Sequence, residues 1–254
     1  LIIVLPQFLL DLNSLCDLIL KTVTAEKKLP DLKGYVCLVT GASRGIGRGI
    51  ALALGGCGAT VYITGRTLKP KEDTKEGDVG GSLEETAADI KSRGGVWFFP
   101  KLSNLVFLFY FHYDSQVYKL FSRIRTEQKG RLDLLVNNAF AAINYITSHD
   151  GMSYWELEGS GDAAAAKAWD IVNGVGLRNH YICATLATRM MLEYRGELTT
   201  TTQSGDSEKE TQKASQPSDD SSRPRPGLII NISSIGGLRF LFNVAYGVGR
   251  SVAS

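Results

Sequence analysis

The sequence is poor in the residues that build covalent or metal frameworks. Of its 254 residues, four are cysteine and three are histidine. No two cysteines form a Cys-x-x-Cys pair, and no histidine lies near one at the spacing typical of metal ligands. We therefore expect no structural metal site. The cysteines are interpreted as small buried hydrophobic residues in a reducing compartment: Cys16, Cys37, Cys57 and Cys183.

An excess of one charge is also missing. The 28 lysine and arginine residues nearly balance the 26 aspartate and glutamate residues, which leaves a formal net charge of +2. Without a strongly basic face, nucleic acid is not an expected partner. Hydrophobic residues make up 44% of the chain, which is ordinary for a globular protein, and the length suits one large α/β domain or two small ones.

An uninterrupted apolar run long enough for a membrane span is missing as well. Residues 1–20 are apolar, but Asp11 and Asp17 interrupt them and no basic region precedes them, so a signal peptide fits poorly. Two interpretations stay open: an interfacial helix that associates with a membrane, or a non-native extension. We treat residues 1–32 as an N-terminal extension and expect a cytoplasmic or endoplasmic-reticulum-associated protein.

Short apolar runs alternate with segments of helical spacing. Buried strands are predicted at 35–40, 59–64, 132–136 and 228–233. Helices are predicted at 48–54, 82–92 and 115–126, and residues 163–192 are predicted to contain one or two helices around an Asn-Gly-Val-Gly turn. Ser82 with Glu85 forms a capping-box pattern at the start of the helix 82–92. This alternation predicts an α/β fold, a Rossmann-like doubly wound parallel sheet with helices on both faces, over residues 33–254.

Two segments interrupt the alternation. Residues 96–111 are unusually aromatic, and their start is compatible with a third strand until Pro100. Residues 196–226 are rich in Ser, Thr, Gln and charged residues and contain almost nothing apolar, so we predict a disordered insertion there.

A glycine-rich turn, T-G-A-S-R-G-I-G, follows the first predicted strand and opens the first helix. Glycines there allow a tight turn and close approach of the backbone to a pyrophosphate, while the helix N-terminus supplies free N–H groups and the positive end of its dipole. The pattern predicts a dinucleotide site that involves Gly41, Ser43, Arg44, Gly45, Ile46 and Gly47.

The same residues admit a second interpretation. Gly41 to Gly45 fits G-x-S-x-G, the nucleophile elbow of an α/β-hydrolase, with Ser43 as the nucleophile. The motif lies on the first core strand, nothing upstream resembles an oxyanion loop, and Gly47 has no role in a hydrolase. Residues 148–150 are a serine–histidine–aspartate run, which is interpreted as a polar loop, because a triad needs side chains that converge.

The end of the second strand indicates which dinucleotide binds. Sites for NAD place an acidic residue there, whereas this chain has Thr64-Gly65-Arg66. Arg66 and Arg44 are predicted to hold a 2′-phosphate, since guanidinium binds phosphate bidentately. The cofactor is therefore predicted to be NADP(H); the alternative is a pair of solvated arginines.

Three motifs in this order resemble the short-chain dehydrogenase/reductase family. They are the glycine turn, Asn137-Asn138-Ala139, and Tyr246 in Y-G-V-G-R preceded by Asn231-Ile232-Ser233-Ser234. The resemblance covers residues 33–254 outside the insertion, and Val175-Gly176-Leu177-Arg178 looks like the member-one subgroup. It implies that Asn137, Asn138 and Ala139 steady the sheet and border the adenosine. It also implies a fold that is C-terminally truncated here and a homodimer in some members.

The resemblance further implies reduction of a carbonyl, in a ketone or aldehyde that is steroid-like or xenobiotic. Tyr246 would protonate the carbonyl oxygen as hydride arrives, and a serine would hydrogen-bond that oxygen. The spacing of thirteen residues common in the family selects Ser233, whereas position within the motif favours Ser234, and both are kept.

Two positions depart from the family pattern. Arg250 stands where the family has Lys, and Gly174 stands where the subgroup has its catalytic Asn. Asn173 substitutes for that Asn only if the helix is locally bulged. Because Arg is bulkier and planar, reduced activity is expected. The alternative function is a dinucleotide-binding protein without turnover.

Overall fold

A computed structural model describes residues 30–70, 80–98, 101–102, 105–106, 114–157, 162–198 and 226–252. The chain divides into two units, 1–31 and 32–254, and the fold described below is that of the second. The predictions of an N-terminal extension and of a disordered insertion fall almost wholly outside the described residues.

Five parallel strands form one sheet in the order β3-β2-β1-β6-β7. Their bounds are Val36–Val39 for β1, Thr60–Ile63 for β2, Val96–Phe98 for β3, Leu134–Asn137 for β6 and Leu228–Asn231 for β7. Two short segments, Lys101–Leu102 (β4) and Leu105–Val106 (β5), pair antiparallel with each other. The predicted parallel α/β sheet is confirmed, and the strand expected at the start of the aromatic segment is β3.

Seven α-helices accompany these strands in the described part of the chain. They are α1 (Gly45–Gly56), α2 (Leu83–Ser92), α3 (Asp114–Glu127), α4 (Ile143–Ser148), α5 (Asp162–Asn173), α6 (Asn179–Tyr194) and α7 (Val244–Val252). A π-helical segment, Gly174–Arg178, joins α5 to α6, and a 3-10 turn, Ile235–Gly237, follows β7. None of the helices described has the length and apolar character needed to cross a bilayer.

Helices cover both faces of the sheet because consecutive strand residues point to opposite sides. Leu38 of β1 packs in a core with α3 and α6, where Ile124 and Met190 are fully buried. Its neighbours on β1 point the other way, into a second core with α1 and α2 that includes Ala51 and Ile90. The sheet is therefore doubly wound, with one hydrophobic core on each face.

The capping box predicted at the start of α2 forms in part. The Ser82 hydroxyl accepts a hydrogen bond from the Glu85 N–H at 3.1 Å, and it donates to the Glu85 carboxylate at 2.9 Å. The carboxylate therefore binds the capping hydroxyl rather than the backbone N–H of Ser82. This arrangement still satisfies one of the free N–H groups of the first turn.

The described cysteines lie where small hydrophobic residues would. Cys37 and Cys183 are free and 1% exposed, and Cys57 is half-buried and free. Burial raises the pKa of the Cys37 thiol and that of the Cys183 thiol to about 12 in each case. Both thiols therefore stay protonated and unreactive near neutral pH.

Candidate active site

The order of the strands places a crevice between β1 and β6. From β1 the chain continues to β2 and β3 on one side, whereas β6 and β7 lie on the other. Ligands of open α/β sheets bind outside the carboxyl ends of the strands at such a reversal. The glycine turn follows β1, Asn137 ends β6 and Ser233 follows β7, so all three predicted motifs lie at the carboxyl ends of the strands.

The glycine turn leaves the N-terminus of α1 open. Gly45 has a φ of 57°, and a Cβ built on it would meet nothing within 4 Å. Arg44, the N-cap residue, makes no side-chain capping hydrogen bond, and Ile46 in the first turn is 64% exposed. The first-turn N–H groups thus have neither a side-chain cap nor a covering atom at Gly45, which fits a bound phosphate.

The opposite side of the turn is packed against the segment that ends β6. A Cβ on Gly47 would overlap the Asn138 side chain and the Gly41 carbonyl oxygen. Gly41 itself has a φ of 69°, and a Cβ there would lie 2.8 Å from the Ala139 Cα. These two glycines therefore let the turn approach the neighbouring backbone closely.

Asn138 fixes the shape of the turn. Its side-chain amide donates to the carbonyl oxygens of Thr40 and Gly41, at 3.0 Å each. The backbone N–H groups of Asn138 and Ala139 donate to the Thr40 hydroxyl at 2.9 and 3.1 Å. Thr40 is the first residue of the glycine motif but was not among the predicted cofactor-binding residues.

Two arginines flank the open side. The Arg44 guanidinium donates to the Thr67 hydroxyl at 3.0 Å, which brings it beside the residue after Arg66. Arg66 is exposed and makes no hydrogen bond or ion pair with any described residue. Arg44 and Arg66 thus both lie near the end of β2, where two guanidinium groups suit a phosphate on the ribose.

Ser43 lies beneath this surface. It is 8% exposed, and a Cβ on Gly65 would lie 3.3 Å from its hydroxyl oxygen. In the described part of the chain no hydrogen bond joins that hydroxyl to a histidine. The hydrolase interpretation needs such a base beside its nucleophile.

The Ser148–His149 pair is not a base and nucleophile either. Nδ1 of His149 lies 3.0 Å from the Ser148 hydroxyl and 2.8 Å from the Tyr145 carbonyl oxygen. A carbonyl oxygen only accepts, so a hydrogen bond to it requires a proton on Nδ1, and that nitrogen then cannot take one from serine. The pair belongs to the C-terminal end of α4.

Tyr246 lies in the first turn of α7. Asn243, just before the helix, accepts the Tyr246 N–H at 2.9 Å with its side-chain oxygen. The tyrosine is 7% exposed, and its ring meets the edges of Phe140 and Phe242 at centroid distances of 5.7 and 5.4 Å. Its hydroxyl makes no hydrogen bond to the residues that the structure describes. The aromatic neighbours fix the ring and leave the hydroxyl for another partner.

Arg250 lies one helical turn after Tyr246 and is 7% exposed. Its guanidinium carbon is 4.1 Å from the centre of the Phe140 ring and 5.2 Å from the centre of the Tyr246 ring. One of its N–H groups donates to the Ile232 carbonyl at 3.3 Å. The positive charge is therefore beside the tyrosine, as the position in the motif requires, but it is stacked on aromatic faces.

The two candidate serines have different hydrogen bonds. The Ser233 hydroxyl donates to the Arg250 backbone carbonyl at 2.9 Å. The Ser234 hydroxyl instead accepts the Gly236 N–H at 3.1 Å as the cap of the 3-10 turn, which leaves its own proton unused among the described residues. This turn packs on α7, where a Cβ on Gly236 would lie 2.6 Å from the Tyr246 ring.

The helix that carries Asn173 is locally bulged. The π-helical segment begins directly after Asn173, at Gly174. Asn173 is 4% exposed and donates to the Ala245 carbonyl at 3.2 Å, and a Cβ on Gly249 would overlap its side-chain oxygen. The bulge therefore brings Asn173 against α7, next to Tyr246.

A buried histidine supports the end of β6. Nε2 of His180 lies 3.0 Å from the Ala139 carbonyl, and the Asn137 side chain donates to the His180 carbonyl at 3.1 Å. Desolvation by burial is the main reason that the pKa of His180 falls to about 4, and the Arg250 charge lowers it further. The neutral ring donates from Nε2, and its Nδ1 has no partner among the described residues.

Three consecutive residues join the two halves of the site. Asn138 holds the glycine turn, Ala139 accepts from His180, and Phe140 contacts Arg250 and Tyr246. Phe140, Phe242 and His180 were not predicted from the sequence, because no spacing rule says which aromatic side chains turn inward. Asn243 was not predicted either, although an Asn directly before a helix is a capping signal.

Known proteins are similar to this chain in sequence and in fold. No model of a protein family matches it. The mouse dehydrogenase/reductase SDR family member 1 is 40% identical over 220 residues, which are 87% of this chain and 52% of the relative. The human protein of that name is 39% identical with the same coverage. The chain thus spans about half the length of these curated relatives.

Solved structures show the same fold. A putative short-chain alcohol dehydrogenase from Sinorhizobium meliloti aligns with a TM-score of 0.55 at 25% identity, over 87% of this chain and 63% of that chain. A metagenomic short-chain oxidoreductase, determined in complex with NADP, aligns with a TM-score of 0.55 at 23% identity, over 87% of this chain and 72% of that chain.

Proposed function

Because this chain belongs to the short-chain dehydrogenase/reductase family, we propose that it is an NADP(H)-dependent oxidoreductase that reduces the carbonyl group of a ketone or aldehyde. The substrate class remains the one that the resemblance implied, a steroid-like or xenobiotic carbonyl compound. The observation that carries the proposal is the segment 138–140, which fixes the glycine turn at one end and contacts Tyr246 and Arg250 at the other.

The residues present fit the cofactor. The open helix N-terminus at Gly45 suits the pyrophosphate, and Arg66 with Arg44 suits a phosphate on the ribose. NADPH, when bound, supplies the hydride. The metagenomic relative determined with NADP supports the choice of cofactor.

The chain's own side chains have complementary roles in the proposed reaction. Tyr246 donates its hydroxyl proton to the carbonyl oxygen, and the proton of Ser234 orients that oxygen by a hydrogen bond. Ser234 is preferred to Ser233, whose proton is already used by the Arg250 carbonyl. The Arg250 guanidinium lies 5.2 Å from the centre of the Tyr246 ring, beside the side chain that gives up the proton. Asn173 holds the backbone at Ala245, one residue before the tyrosine.

A direct test is the loss of NADPH absorbance in the presence of a panel of aliphatic, aromatic and steroid ketones. We expect turnover that Tyr246→Phe lowers by at least about a hundredfold, the lower range for loss of a general acid, with NADPH affinity retained in calorimetry. Ser234→Ala should cost more in kcat than Ser233→Ala. Turnover that survives Tyr246→Phe would contradict the proposal.

A second candidate function is NADP(H) binding without turnover. It is supported by the contacts of Arg250. Its guanidinium is stacked on Phe140 and donates to the Ile232 carbonyl, so these groups compete with the cofactor and with Tyr246 for its charge. Calorimetric binding of NADPH without turnover on any ketone, even in Arg250→Lys, would favour this candidate. Absence of binding would exclude both.

A further inference from the structure

We propose that Phe140 is a positioning residue of this site, whose ring holds the Arg250 guanidinium beside Tyr246 and links both to the cofactor-binding turn. This inference rests on the proposed reductase function. The role of Phe140 follows from its contacts alone.

The Phe140 ring is enclosed by the elements that build the site. Its face lies 4.1 Å from the Arg250 guanidinium carbon, and its centre is 5.7 Å from the centre of the Tyr246 ring at an interplanar angle of 64°. On the π-helical segment, a Cβ on Gly176 would lie 2.5 Å from Cδ2 of Phe140. The ring therefore fills the space between that segment and α7.

The backbone that carries Phe140 is fixed by its neighbours. Ala139 donates to the Thr40 hydroxyl at 3.1 Å and accepts from His180 at 3.0 Å. A displacement of the turn around Thr40 is thereby transmitted to the residue before Phe140. The position of the phenylalanine ring thus depends on the same hydrogen bonds that hold the glycine turn.

Arginine needs such a ring more than lysine would. An ammonium group is a compact point charge, whereas a guanidinium is planar, is weakly hydrated and stacks on aromatic faces. At 7% exposure, the Arg250 guanidinium donates to the Ile232 carbonyl at 3.3 Å, and its carbon lies nearer to the centre of the Phe140 ring, at 4.1 Å, than to that of Tyr246, at 5.2 Å. Phe140 therefore compensates for the arginine at a position where the family has lysine.

Phe242 provides a matched control. Its ring also contacts the Tyr246 ring, at 5.4 Å and an interplanar angle of 79°, but it makes no cation–π contact with the Arg250 guanidinium. Phe140→Leu and Phe242→Leu each replace a phenyl ring that contacts Tyr246 by the same smaller side chain. The two variants differ in whether the cation loses its ring.

The first experiment is a double-mutant cycle on urea unfolding of the full chain without cofactor. Phe140→Leu and Arg250→Met are expected to be non-additive, so that Phe140→Leu shifts the unfolding midpoint less in the Arg250→Met background. Phe242→Leu should shift the midpoint equally in both backgrounds. Additive effects of Phe140→Leu and Arg250→Met would overturn the inference. If Phe140→Leu does not fold, Phe140→Met replaces it in the cycle.

The second experiment separates positioning from stability. Phe140→Leu is expected to lower kcat about tenfold, as for a small displacement of a reacting group, with the KM for NADPH changed by less than about twofold, and Phe140→Tyr should restore kcat. The inference would be overturned if Phe140→Leu left kcat unchanged, or if kcat stayed low in Phe140→Tyr. If the unaltered chain shows no turnover, the proposed function fails, whereas the unfolding cycle still decides whether Phe140 holds Arg250.

Discussion

Single atoms determine whether the glycine turn can close. Gly47 and Gly49 lie two residues apart in α1, but a Cβ on Gly47 would overlap Asn138 and the Gly41 carbonyl, whereas one on Gly49 would meet nothing within 4 Å. The same substitution at these two sites therefore reports on the turn and on helix propensity separately.

Gly47→Ala is expected to weaken NADPH binding by at least about tenfold, equivalent to about 1.4 kcal/mol, because the turn must open to admit the methyl group. Gly49→Ala should leave affinity unchanged and stabilise the helix by up to about 1 kcal/mol, since alanine replaces an exposed helical glycine. Calorimetric titration with NADPH and urea unfolding measure the two effects. Equal affinities of both variants would exclude the packed turn as a determinant of binding.

His180 gives a pH dependence with a defined sign. Its pKa is lowered by burial from 6.5 to about 4, so the unfolded chain binds a proton more readily than the folded chain. Its contribution to the free energy of unfolding is therefore complete above pH 6.5 and is lost as pH falls towards 4, by roughly 2–4 kcal/mol.

His180→Gln keeps a donor near the Ala139 carbonyl but cannot titrate. We expect the unfolding free energy of this variant to fall less between pH 7 and pH 4.5 than that of the unaltered chain. Parallel pH profiles for His180→Gln and the unaltered chain would contradict the assignment.

The sequence predicts some of these residues and not others. Glycines at fixed offsets after a strand and Tyr246 before an Arg are chemical patterns that spacing alone reveals. Phe140 and Phe242 are not encoded in that way, because their roles depend on how α7 packs beside β6. Phe242 moreover has a φ of 62°, an uncommon backbone state for a bulky residue that no propensity rule anticipates.

At the scale of the elements, local signals placed most strands and helices. The ends of β1, β2 and β6 lie within two residues of the predicted bounds, because buried parallel strands are continuous apolar runs. Helix α2 was predicted from its cap and its apolar spacing. The π-helical segment was foreseen only as a condition on Asn173, since its extra residue is stabilised by packing against Phe140 and α7.

The cap of α2 can be tested by substitution. Ser82→Ala removes the acceptor of the Glu85 N–H and should lower the free energy of unfolding by about 1 kcal/mol. Ser92→Ala, at the other end of the same helix, removes an exposed hydroxyl that donates to the Asp89 carbonyl, and it should cost less than about 0.5 kcal/mol. Urea unfolding of both variants measures the difference, and equal costs would show that the cap contributes nothing specific.

At the scale of the whole molecule, the two edges of the sheet are β3 and β7 among the described strands. The side chains of β7 are mostly exposed, unlike those of β1: Leu228 is 55% exposed and Ile230 is 37% exposed. An apolar edge strand with unpaired backbone groups favours pairing with another chain. We propose that the chain associates through this edge, which is a proposal separate from the homodimer that the family resemblance implies.

Ile230→Lys should therefore reduce concentration-dependent association, because a charged side chain on an edge strand opposes edge-to-edge pairing. Tyr118→Lys, which replaces another exposed hydrophobic residue but on α3, should leave association unchanged. Light scattering over a range of protein concentrations distinguishes the two. Association that is insensitive to Ile230→Lys would show that the strand edge takes no part in it.

The extra residue of the π-helical segment sets the direction in which α5 faces relative to α6. Helix α5 packs against α7, whereas α6 packs against β6, β7 and α3. Removing one residue between 174 and 178 would turn α5 by about 100° relative to α6, so that Asn173 would face away from α7 while the sheet-facing residues stayed in place. Such a deletion would therefore displace Asn173 from the site and leave the packing of α6 on the sheet intact.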